Sequence, residues 1–277
     1  MRKLGLVGLS VLAIGTVQAQ YYLNDIVNAA RASEQFAALK SAGIKKVSTT
    51  SYDADGTITA NFSLGQTVDI AANTITTFSK SDYTGESVLT SYFLGNHHLS
   101  KSTEVNKTYV STTVYAYNAA GLLSSLSIVS NDSVQSFSMK EQHLYSYDAK
   151  GQPTSMLRIK NNTDTIKVVF VASEAGKPGE EQWWKGNRKI ETWFYYYDAK
   201  KQLTDVARFN IKAQRILPDM MFEYDEDGRL SQQTTVHTGS NTYRIWRYIY
   251  DSRDLKIKEG VFNKYKQEEG RIEYSYQ

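Results

Sequence analysis

A short motif that recurs along the chain constrains its fold more than any other feature. Tyr115-Ala116-Tyr117-Asn118-Ala119-Ala120-Gly121-Leu122-Leu123 returns as Tyr145-Ser146-Tyr147-Asp148-Ala149-Lys150-Gly151 and as Tyr195-Tyr196-Tyr197-Asp198-Ala199-Lys200-Lys201-Gln202-Leu203. It returns again as Phe222-Glu223-Tyr224-Asp225-Glu226-Asp227-Gly228-Arg229-Leu230 and as Tyr248-Ile249-Tyr250-Asp251-Ser252-Arg253-Asp254. A worn copy ends at Ser173-Glu174-Ala175-Gly176, and Tyr52-Asp53-Ala54-Asp55-Gly56 is an early one. The spacing is about 26 residues, in the range of repeat architectures.

Each unit has a physical reading. Aromatics at i and i+2 share one face of a strand. The following Asp or Asn, with Gly three places on, opens a turn by bonding its own backbone and closes it at positive φ. Asp53, Asn118, Asp148, Asp198, Asp225 and Asp251 are therefore structural turn residues. Lys201 and Asp254 stand where Gly is expected, which predicts strain or a different turn there. One repeat is a β-hairpin plus its link to the next, with polar second turns such as 185–187 and 238–241 at the other end. The whole reads as an all-β antiparallel meander whose Tyr pairs stack as one ladder. Tyr274-Ser275-Tyr276 ends it in phase, as a final edge strand.

Composition agrees, with 20 Tyr, 10 Phe and 4 Trp against 3 Pro. Only Tyr22 to Ala42 departs from the pattern: Ile26, Ala29, Ala30, Phe36, Ala37 and Leu39 before Gly43 predict a short helix, expected to cap the open first strand. Upstream, Arg2 and Lys3 precede an apolar run that ends at Val17-Gln18-Ala19. This is a secretory signal peptide with its cleavage site after Ala19. The expected organisation is thus a signal peptide at 1–19, a helical cap at 20–46 and a hairpin-repeat domain at 47–277, in the periplasm or outside the cell. With 0 Cys there is neither a lipid-anchored cysteine at the cleavage site nor a disulfide. Losing Arg2 and Lys3 from 32 basic residues brings them nearly level with the 29 acidic ones, which leaves no long-range attraction for nucleic acid.

The Tyr-x-Tyr-Asp-x-x-Gly-x-Leu core resembles the YD repeat of the Rhs and teneurin families, and its hairpin period is similar to YwqK and MORN-like repeats. In the Rhs family the repeats form a shell around a toxin; the many further units and the toxin domain are not present here. The leader and tyrosine-rich repeat are also similar in style to small exported proteins of Bacteroidota. Asp132-Ser133-Val134 and Asp164-Thr165-Ile166 resemble the O-glycosylation sites of such proteins, although they also read as turn openings.

The residues offer little catalytic chemistry. There is no nucleophile elbow, zinc-protease helix motif or phosphate loop. Of the four His, adjacent His97 and His98 face opposite ways on a strand, and His143 and His237 read as half-exposed strand residues, so no metal or other cofactor is expected. Trp183, Trp184 and Arg188 form the candidate ligand surface, since aromatic and guanidinium groups together grip glycans and peptides. Trp193 and Trp246 read instead as rungs of the aromatic ladder. The leading expectation is an exported, non-enzymatic scaffold that binds a protein or polysaccharide of the cell envelope, with no span of its own in the membrane. The alternatives are a carbohydrate-active or other hydrolase with an unrecognised site and, more remotely, an outer-membrane β-barrel. Against the barrel stand Leu203 to Arg208 and Leu230 to Thr234, which keep no continuous apolar face.

Overall fold

The computed structural model describes residues 20–134, 136–237 and 242–277. The leader read at 1–19 and the polar turn at 238–241 lie outside them. A single turn of π-helix (Tyr22–Val27) runs into α1 (Asn28–Ser41), which stops where Gly43 takes φ +67°. Eighteen strands follow: β1 (Lys46–Asp53), β2 (Ser63–Asp69), β3 (Thr74–Ser81), β4 (Gly85–Phe93), β5 (Leu99–Asn106), β6 (Tyr109–Tyr117), β7 (Leu123–Asp132), β8 (Phe137–Tyr147) and β9 (Pro153–Lys160). The rest are β10 (Asp164–Ala172), β11 (Pro178–Lys185), β12 (Arg188–Tyr197), β13 (Leu203–Asn210), β14 (Arg215–Tyr224), β15 (Leu230–Val236), β16 (Tyr243–Tyr250), β17 (Lys256–Phe262) and β18 (Glu268–Tyr276).

The all-β antiparallel meander with one short N-terminal helix is as expected, but the sheet has no ends. Each strand pairs with its neighbours in sequence, and β1 pairs with β18 from Val47↔Tyr276 to Asp53↔Gly270, so the meander closes into a barrel. Tyr274-Ser275-Tyr276 is accordingly not an edge, and α1 has no open strand to cover. Twist accumulated over this many strands brings the two edges together, and closure satisfies both rows of backbone groups.

Side chains alternate between lumen and outer wall. On β8, Glu141, His143 and Tyr145 are buried while Lys140, Gln142, Leu144 and Ser146 are exposed; on β10, Ile166, Val168 and Phe170 are buried while Thr165, Lys167 and Val171 are exposed. The buried set faces inward, because it is the set that the N-terminal segment touches. Phe36 stacks on Phe93 of β4 at 4.2 Å, Tyr22 packs against Tyr195 of β12 at 5.3 Å, and the Arg31 guanidinium lies 5.3 Å from the Phe222 ring of β14. A helix that meets strands so far apart around a closed sheet lies within it. Residues 20–43 thus plug the barrel, and the main hydrophobic core forms between plug and wall.

The repeat turns share one construction. Asn118, Asp148, Asp198, Asp225 and Asp251 each accept the amide N–H four residues on, at 2.8–3.0 Å. Lys201 and Asp254 adopt φ +62° and +61° and make the same backbone bond to Asp198 and Asp251 as Gly121 makes to Asn118. The turn is therefore not reshaped there; the non-glycine residue takes the left-handed conformation. Asp53 instead accepts the Thr59 hydroxyl at 2.9 Å. The second Tyr of each pair ties its repeat to an earlier strand: Tyr117, Tyr147, Tyr224 and Tyr250 donate to the carbonyls of Leu99, Leu123, Leu203 and Leu230 at 2.6–2.9 Å. The Tyr pairs do share the inward face, but these ties, rather than one continuous ring stack, join the repeats, because at least one strand without a Tyr pair stands between successive pairs.

Candidate functional site: a charged seat in the lumen

Where the π-helical turn meets β8, β9, β11 and β12, the lumen carries a chain of ionisable groups. Asp25 projects from that turn. Its Oδ2 lies 2.5 Å from Nδ1 of His143 and accepts the Tyr145 hydroxyl at 2.7 Å. The far side of the imidazole, Nε2, is 2.9 Å from Glu141 Oε1, and Glu141 Oε2 accepts from Arg158 Nη2 at 3.0 Å. Strand alternation puts Glu141, His143 and Tyr145 on one face, and the β8–β9 register sets Arg158 directly opposite His143.

A ring with both nitrogens facing carboxylates is held as imidazolium. Burial works against that charge, but Asp25 and Glu141 outweigh it and raise His143 from 6.5 to about 9. Burial likewise opposes the Glu141 anion, yet hydrogen bonds from His143 and Arg158 bring it down to about 2. His143 is only 3% exposed, so the half-exposed strand residue expected from the sequence is instead the centre of a buried network. The Glu-x-His alternation was visible in the sequence; nothing in it indicated that Asp25 would be the second carboxylate.

Beside this chain stands Glu181, which is wholly buried. Its Oε1 accepts the Tyr21 amide N–H at 3.0 Å and Trp183 Nε1 at 2.7 Å; its Oε2 accepts the Tyr22 amide N–H at 2.9 Å and the Tyr195 hydroxyl at 2.6 Å. The carboxylate thus caps two free amides at the start of the helix. Burial still raises it to about 7. The Tyr21 ring is wedged between His143 and Trp183, with centroids 4.9 Å from each.

The seat is a clamp. Its carboxylates and imidazolium are engaged with one another and with the plug, and among the described residues no group of three His, Asp or Glu is placed to hold a metal. The sequence-derived trio does not gather on one surface. Trp183 points inward onto Glu181 and Tyr21, Trp184 alternates to the outer wall with its Nε1 buried and unpartnered, and Arg188 is exposed at the β11–β12 turn. Trp193 faces the lumen at 2% exposure, under the Arg208 guanidinium at 5.1 Å. Of the two Asp-Ser/Thr sites, Ser133 donates to the Thr108 carbonyl at 3.1 Å and Thr165 is exposed on the outer face of β10.

No family model matches the chain, and no curated protein does. Solved structures similar to it include a porin-like protein from Bacteroides uniformis, 9% identical with a TM-score of 0.38, over 84% of this chain and 98% of that one. A porin-like protein from Bacteroides vulgatus is 14% identical, with a TM-score of 0.28 and the same coverages. The Photorhabdus luminescens Tc holotoxin pore is 12% identical with a TM-score of 0.34; the match takes in 78% of this chain, which spans 12% of the toxin chain.

Proposed function

We propose that this protein is an exported β-barrel of the cell envelope, sealed by its own N-terminal segment, which meets its surroundings through the outer wall rather than conducting solutes or catalysing a reaction. The observation that carries this reading is the filled lumen. Tyr21, Tyr22, Phe36 and Leu39 are buried inside, where a channel would keep water. The carboxylates of the seat are engaged with their partners, so the seat itself offers the hydrolase alternative no free acid–base pair. Closure through β1 and β18 weighs against recognition by strand addition, which needs a free edge.

Placement in the outer membrane is a second reading. It draws support from the closed antiparallel barrel of an even number of strands, and from outward apolar side chains such as Val110, Val114, Val129, Leu144 and Leu157. Facing the same way, however, are Lys101, Lys140, Lys167 and Glu180. A lysine on a lipid-facing wall costs roughly 2–4 kcal/mol at the bilayer midplane. The outer wall therefore favours water, with the apolar strip as contact surface. Fractionation of the native host separates the two placements. A sealed envelope barrel in water is recovered without detergent and gives no conductance in planar bilayers. Recovery only in detergent moves it into the outer membrane, and conductance overturns the sealed barrel in either place.

A further inference from the structure

We infer that the lumen is a receptor for the chain's own α-ammonium group: cleavage after Ala19 places a new terminus at Gln20, which supplies the cation that Glu181 lacks. The inference rests on the export reading above and goes beyond it by assigning a ligand to the seat.

The charges of the seat are almost balanced. Asp25 and Glu141 face His143 and Arg158, and Arg158 also reaches Asp164 at the rim, where Lys185 stands. Glu181 is left over, and among the described residues no Lys, Arg or His pairs with it. A fully buried carboxylate without a counter-charge is costly even when its lone pairs are satisfied. Its rise to about 7 is the consequence expected where burial is not answered by a cation.

Position points to the missing partner. Glu181 holds the amide nitrogens of Tyr21 and Tyr22. The nitrogen of Gln20 is one residue upstream, within about 4 Å of the Tyr21 nitrogen by backbone geometry. Independently, Gln20 is only 1% exposed, and its Oε1 is buried with no donor. In an uncleaved chain the Gln20 nitrogen offers one neutral N–H. As a terminus it is a cation, which answers Glu181 by charge because that carboxylate's four acceptor sites are already filled, and its N–H donors are free for the orphan oxygen. Cleavage by a signal peptidase would then complete the charge balance of the seat, and an unprocessed chain would keep the defect.

A competing reaction exists at the same atom. The free amine of an N-terminal Gln can attack its own Cδ, forming one C–N bond and breaking another with release of ammonia, to leave a neutral lactam. Intact mass of the protein purified from its host distinguishes the termini. A free Gln20 is expected. A lactam, one ammonia lighter, leaves export standing and overturns the receptor; a retained leader overturns both.

Amine-selective labelling near neutral pH follows. The buried, ion-paired amine is expected to react at least about tenfold more slowly in the folded protein than after unfolding, the equivalent of one pKa unit or more. Equal rates overturn the proposal. Finally, one Gly placed before Gln20 displaces the ammonium, and the thermal midpoint is expected to fall on the order of 5–10 °C. In a Glu181→Gln background the same insertion should cost much less, whereas an equal fall in both backgrounds means the seat reads packing and not charge. Should Glu181→Gln fail to fold, the labelling rates on the native protein decide.

Discussion

The acids at the repeat turns and the acids in the lumen are the same residue types doing opposite kinds of work. Asp148 sits at an exposed turn and satisfies itself locally, accepting the amides of Lys150 and Gln152, both at 2.9 Å. Asp25 is buried, and its partners His143 and Tyr145 lie 118 and 120 residues away. The turn forms whether or not the barrel exists. The seat exists only once the wall has closed around the plug, so it contributes to the finished fold and not to the early hairpins.

The largest expected effect follows from that difference. His143→Ala leaves Asp25 and Glu141 buried without their shared cation and should cost roughly 3–5 kcal/mol, against about 1 kcal/mol for Asp148→Ala at a turn. Denaturant titration of both variants checks this; similar losses would mean that the seat is not sealed from water. The pH dependence sharpens the contrast. His143 is raised from 6.5 to about 9, so its contribution is complete below about 6.5 and lost as pH rises through about 9. Glu141 is lowered from 4.5 to about 2, so its contribution is complete above about 4.5 and lost as pH falls toward 2. Asp225 and Asp251, also lowered at their turns, share only the acid limb. An alkaline decline present in the native protein and missing from His143→Ala would therefore belong to the lumen.

An intermediate effect separates neighbours. Trp183→Phe removes a donor from Glu181 and should cost about 1–3 kcal/mol. Trp184→Phe trims a half-buried ring on the outer wall and removes an indole N–H that has no partner. These effects oppose each other, and it should cost less than Trp183→Phe, within about 0.5 kcal/mol of the native protein on either side. Equal losses from the two would contradict the inward and outward assignment of β11.

What the sequence made legible follows the same line between local and distant. Turn chemistry is written within a few residues, so Asn118, Asp148, Asp198, Asp225 and Asp251 could be read directly, as could the helix ending at Gly43. Alternation told that Trp183 and Trp184 face opposite ways, but not which of them faces in. The tie from each second tyrosine to an earlier strand, and the bulge that precedes each repeat turn, as at Ala116/Tyr117 and Ser146/Tyr147, depend on the neighbouring strand and carried no local signal. Closure depends on twist summed over every strand. The seat joins residues 25, 143, 158 and 181, which no window of sequence brings together.

The smallest effect tests the turn rule at its exception. Lys201 occupies φ +62° where Gly121, Gly151 and Gly228 occupy +75°, +78° and +85°. A side chain held in the left-handed region costs roughly 1–2 kcal/mol, while glycine loses about 0.5–1 kcal/mol by freeing the unfolded chain. Lys201→Gly should therefore raise stability by about 0.5–1 kcal/mol, or ~1–4 °C in thermal midpoint. The carbonyl of Lys201 that accepts Lys177 Nζ at 2.9 Å is backbone and survives the change. The reciprocal Gly151→Lys pays the conformational cost and adds a crowded contact, since a Cβ there would lie 3.3 Å from Leu122 Cδ1. It should lose more than Lys201→Gly gains. If instead both substitutions moved the midpoint the same way, positive φ would not be what selects glycine at this turn, and the reading of the motif's fourth-from-Asp bond and its closing residue would need another cause.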